Sequence, residues 1–124
     1  MTQPLALVLY EKLMPGTQIV NRLQDLGYRV QAVTSAASLS DTATSSMPML
    51  VVADLHSSKE DVLPEVAKLR QNAATAHVPV LGFVQEETEE LRKTAMDAGV
   101  TVFATDAAVV NHLPLLLEQT LRLD

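Results

Sequence analysis

Five short apolar runs, separated by segments with a helical repeat, constrain this chain more than any other feature. The runs are LALVLY (5–10), YRVQAV (28–33), MLVVAD (49–54), VPVLGFV (78–84) and TVFAT (101–105). MLVVAD and its counterparts are nearly continuous in apolar residues, the pattern of a strand covered on both faces. Between the runs, Ile19, Val20, Leu23 and Leu26 form a helical stripe closed by Gly27 as C-cap. Val62, Leu63, Val66 and Leu69 form a second stripe. Leu91, Ala95 and Ala98 form a third, behind the acids EETEE, whose charge suits a helix start, and Gly99 ends it. A last helix carries Leu113, Leu116, Leu117, Thr120 and Leu121, with Pro114 in its first turn and Asn111 as N-cap. SAASLSDTATSSMP (35–48) reads as a short, poor helix plus a loop. Fivefold strand–helix alternation predicts one α/β domain over residues 1–124: a doubly wound, five-stranded parallel sheet of the flavodoxin-like (βα)₅ type.

Composition removes several classes of function. There is no cysteine, which excludes disulfides, thiolate catalysis and Cys-based zinc sites. Nine Lys+Arg against fifteen Asp+Glu give a net charge of −6, the wrong sign for direct nucleic-acid binding. The only aromatics are Tyr10, Tyr28, Phe83 and Phe103, too few for a base-stacking platform. The first apolar run has no basic flank and is too short for a signal core or a membrane span, so a cytoplasmic protein is expected.

In a doubly wound sheet the ligand crevice lies at the carboxyl ends of the strands. Tyr10, Glu11, Asp54, Val84, Gln85, Thr105 and Asp106 are all expected at that edge. Asp54 stands out, because an acid ending a buried strand needs water, a cation or hydrogen-bond donors. Lys12 and Lys59, which also follow strand ends, are its expected ion-pair partners. Asp54-x-His56 invites a metal reading, but no third ligand follows and a solvent histidine is the plainer reading. MPGTQ (14–18) is a loop in which a helix N-terminus could meet a phosphate, the basis of an alternative reading as a small-ligand-binding flavodoxin-like domain. The nucleotide motifs GxGxxG and GxxxxGK[ST] are absent.

In length, order of elements and spacing the chain resembles the receiver domains of bacterial two-component response regulators. MLVVADL resembles their third strand, which ends in the phospho-accepting aspartate, and Asp54 falls on that position. KLRQNAATAHVPVLGFV (68–84) resembles their Arg-containing third helix and Pro-marked fourth strand. TAMDAGVTVFAT (94–105) resembles their fourth helix and aromatic-bearing fifth strand, with Phe103 at the switch aromatic. The resemblance implies an acidic pair holding Mg²⁺ with the acceptor, a Ser or Thr ending the fourth strand, and a Lys ending the fifth. Here these places read Tyr10-Glu11, Val84 and Asp106. Asp106 reverses the charge where a phosphoryl group would sit.

The expected form is therefore a degenerate pseudo-receiver. It acts by protein–protein recognition or self-association, homodimerisation included, without catalytic turnover and without a cofactor. Leu91, Arg92, Ala95, Phe103 and His112 are its expected interface. The alternative is a working receiver phosphorylated on Asp54, with Mg²⁺ held by Glu11 and Asp54.

Overall fold

The structure is a computed structural model that describes residues 4–10, 13–33, 35–55, 62–86 and 88–121. Five strands, β1 (Leu5–Leu9), β2 (Arg29–Val33), β3 (Leu50–Asp54), β4 (Val80–Val84) and β5 (Val102–Thr105), pair in parallel in the order β2-β1-β3-β4-β5. The helices are α1 (Leu13–Asp25), α2 (Leu39–Ser46), α3 (Leu63–Gln71), α4 (Glu89–Ala98), α5 (Asp106–Asn111) and α6 (Leu113–Leu121). The strand order reverses at β1 and β3, so the crevice of such a sheet opens beside the end of β3.

The apolar runs form strands because both of their faces are covered. β1 and β4 are buried along their whole length, and β3 is buried up to the half-buried Asp54. Alternate residues divide between two cores. Ala6, Val8, Leu50, Val52, Leu81 and Phe83 pack with Ile19, Leu23, Val109, Leu113 and Leu117, the faces of α1, α5 and α6. Leu7, Leu9, Val51 and Ala53 pack with Leu39, Val66, Leu69 and Ala95, the faces of α2, α3 and α4. Burying one such Val or Leu side chain contributes about 1.5–3 kcal/mol, so the sheet supplies most of the driving force. The edge strand β2 differs: Arg29, Gln31 and Ala32 are exposed.

Punctuation follows the sequence at most places. Gly27 takes φ +94 and turns the chain from α1 into β2. Thr88 caps α4, its Oγ1 accepting from Leu91 N at 3.1 Å. Gly99 ends α4 at φ +113. Three expectations are corrected. MPGTQ is no loop, because residues 14–18 lie inside α1. Asn111 is the last residue of α5 and caps no helix; α6 starts at Leu113, with Pro114 in its first turn as expected. The acids EETEE do not all enter the helix either, since α4 begins only at Glu89.

The far end of the sheet is fastened by Arg70. Its Nε donates to Gly99 O at 2.9 Å, Nη1 to Ala76 O at 2.9 Å and Val78 O at 2.6 Å, and Nη2 to Thr101 Oγ1 at 3.1 Å. One guanidinium thus ties α3 to the entries of β4 and β5. Partial burial pushes its pKa down from the ordinary arginine value.

Candidate functional site

Asp54 closes β3 opposite Phe83 of β4, and the next residue, Leu55, donates its N–H to Phe83 O at 2.9 Å. Asp54 shares the strand parity of Leu50 and Val52, which face the α1, α5 and α6 layer. Beyond it the chain bends over β4: a Cβ on Gly82 would lie 2.6 Å from Leu55 Cδ1. Gly82 is therefore the residue that lets Leu55 lie down on the sheet and leaves Asp54 at the rim.

Tyr10 follows β1 one step past the Leu9–Ala53 pair, beside Asp54. Its ring rests on α1 at Gly16, where any Cβ would collide with it, and packs against the core on that side. An aromatic ring thus occupies the place where the family resemblance expects an acid. Glu11, Lys12, His56 and Lys59 lie outside the described residues, and with them the metal pair of Glu11 and Asp54 and both expected ion pairs of Asp54.

Val84 ends β4 with 2% exposure, its side chain sunk in the core under α3 and α4. It offers no hydroxyl to the rim. Its lateral neighbour, Thr105, has one, but that oxygen accepts from Ala108 N at 3.2 Å and caps α5. Asp106 follows as the first residue of α5, where a carboxylate is favoured by the helix dipole. β5 ends at Thr105, as the run TVFAT predicts, and a helix starts at once with Asp106.

Beside this edge lies an open cleft of about 430 Å³ lined by Val84, Gln85, Glu86, Thr88 and Leu91. Among the described residues its lining carries one acid, Glu86, and no cation. Among the described residues no three His, Asp or Glu side chains group to hold a metal. Of the expected Mg²⁺ pair of Glu11 and Asp54, only Asp54 is among the described residues.

The face of α4, β5 and α5 is divided by burial. Leu91, Arg92 and His112 are exposed. Ala95 and Phe103 are 1% and 5% exposed and belong to the core, so they shape this face from beneath and are not contact groups. The Arg92 guanidinium carbon stands 5.5 Å from the Phe103 ring centroid, a cation–π contact that covers the ring. Sequence reasoning missed Glu65, a carboxylate on α3 with 9% exposure. Its Oε2 accepts from Lys68 Nζ at 3.0 Å, while the buried Oε1 has no hydrogen-bond partner among the described residues. Its place in the stripe of Val62, Val66 and Leu69 was the available signal.

No protein-family model matches the chain, and no curated protein matches it in sequence. Solved structures do match. The Vibrio cholerae chemotaxis protein CheY4 is 16% identical, with TM-score 0.86 over 96% of this chain and 99% of that one. The BeF3-activated N-terminal receiver domain of Klebsiella pneumoniae RstA is 15% identical, with TM-score 0.83 over 96% and 99%. A response regulator from Desulfuromonas acetoxidans is 18% identical, with TM-score 0.78 over 94% and 95%. The fold is the receiver fold. Identities this low establish the architecture alone, and what the edge of this receiver fold does rests on its own residues.

Proposed function

We propose that this chain is a receiver-type signalling module of the cytoplasm that works through protein–protein contacts and takes no phosphoryl group on Asp54 by the Mg²⁺-dependent route. The observation that carries this reading is the junction of β5 and α5. Where receivers place a lysine, Asp106 opens a helix already capped by Thr105. Phosphoryl transfer relies on charge neutralisation by fixed groups, and a carboxylate there opposes it. Val84 and Tyr10 support the same conclusion, the first by lacking a donor and the second by lacking a charge.

Recognition then falls to the exposed groups of the α4, β5 and α5 face. Leu91 is exposed on α4, and the exposed Arg92 guanidinium covers the buried Phe103 ring. An apolar contact beside a fixed cation suits a protein partner or a second copy.

The test is incubation with Mg²⁺ and acetyl phosphate, followed by intact-mass spectrometry. The expected result is an unmodified chain. A phosphoryl adduct that disappears in Asp54→Asn would overturn the proposal and restore Asp54 as an acceptor.

A further inference from the structure

The exposed strand β2 forms the edge of the sheet opposite β5. The geometry points to antiparallel pairing of β2 with β2 of a second copy of this chain, joining two five-stranded sheets across a two-fold axis. Three observations carry this inference.

First, β2 pairs on one side only, with β1, and it is the one strand whose residues are mostly exposed. Arg29 N donates to Pro4 O and Val33 O accepts from Tyr10 N, so residues 29, 31 and 33 address β1. By the strand repeat, the N–H and C=O groups of Val30 and Ala32 point out of the sheet. These groups form a ready template for another strand.

Second, the strand is self-complementary. An axis through Gln31 places Val30 opposite Ala32 of the second copy, and the reverse, in two reciprocal hydrogen-bonded pairs. Gln31 then meets Gln31 at the non-bonded position, where two amides can bond side by side. Arg29, the only charge on RVQAV, meets Val33, so no like charges face each other.

Third, apart from the charge of Arg29, the usual protections of an edge are missing. RVQAV has no proline, glycine or lysine, and its register with β1 is regular over all five pairs. An open groove of about 430 Å³ lined by Leu5, Arg29, Val30, Gln31 and Ser46 leaves the side chains of Arg29 and Gln31 accessible on the face of the strand. The second copy is the occupant these features select, because the two-fold match follows from the strand itself.

Sedimentation equilibrium at chain concentrations up to about 1 mM, which registers even a millimolar Kd, tests the pairing. The expected result is a concentration-dependent dimer that both Gln31→Lys and Ala32→Pro convert to monomer. The lysine sets like charges face to face on the axis. The proline removes only an N–H that points outward, so the bonds to β1 survive. Far-UV circular dichroism checks that each variant is folded, and Gln31→Lys carries the test alone if Ala32→Pro unfolds. A wild-type chain that stays monomeric at the highest concentration overturns the inference. So does a dimer that persists in Gln31→Lys, and a dimer lost only in Arg92→Ala would place association on the α4, β5 and α5 face.

Discussion

Replacing Arg70 by methionine separates the hydrogen bonds of the guanidinium from the packing of its stem. The side chain serves three backbone carbonyls and one hydroxyl. The bonds to Gly99 O and Val78 O are partly buried, and those to Ala76 O and Thr101 Oγ1 are exposed. A hydrogen bond to a charged group contributes about 1.5–3 kcal/mol when buried, and the exposed pair adds only a few tenths each. Water reaches part of the site, and the freed side chain regains rotamer entropy of about 1–2 kcal/mol, which offsets part of the sum. The net expectation for Arg70→Met is a loss of about 2–3 kcal/mol. For a chain of 124 residues that is a fall in Tm of roughly 10 °C. Urea unfolding followed by circular dichroism measures it, with the m-value unchanged because the same surface is exposed. Arg70→Lys should recover less than half, since one ammonium cannot span acceptors set around a planar fork. None of the four acceptors is a carboxylate, so the loss should be equal at pH 5 and pH 8. Desolvation lowers the arginine pKa, and that cost is constant wherever the group stays protonated in both states, easing only as pH rises through the lowered folded value, far above pH 8. An Arg70→Met variant within about 0.5 kcal/mol of wild type would refute this account, because substitutions that touch nothing special fall in that band.

Two further outcomes follow from polar groups withdrawn from water. Glu65→Leu should raise Tm, by about 1–2 kcal/mol of added stability, since it removes a carboxylate oxygen buried without a partner among the described residues and keeps an apolar volume in the stripe of Val66 and Leu69; thermal melts of the two proteins measure it, and a lower Tm would mean that the carboxylate is anchored. Partial burial raises the Tyr28 phenol above its ordinary value, so the folded state holds its proton longer than the unfolded chain; stability is intact below the ordinary tyrosine range and falls as pH rises through the folded value, a fall that Tyr28→Phe should reduce in alkaline denaturation curves.

The sheet was legible because its inner strands are buried on both faces and must therefore be apolar throughout, as Leu5–Leu9 and Val80–Val84 are. Gly27 and Gly99 marked helix ends correctly, since both take positive φ. Gly16 misled, because the lack of a side chain there serves the Tyr10 ring and does not break α1. Helix α5 escaped notice for a different reason. Its six residues carry one buried side chain, Val109, too few to show a period. At the candidate site, the identities of Tyr10, Val84 and Asp106 were readable from spacing. The use of the Thr105 hydroxyl as a cap was not, because it depends on α5 starting without a loop.

Helix α4 rests on the sheet through a single fully buried side chain, the methyl group of Ala95, while Leu91 and Met96 remain 37% and 43% exposed. So little anchorage makes its detachment cost less than global unfolding, a local opening in which the five strands stay paired. A partner that grips Leu91 and Arg92 would therefore do more than occupy a surface. It would suppress this local opening, slow the exchange of the α4 amides with solvent, and report its presence through the stiffness of one helix with no change in the fold.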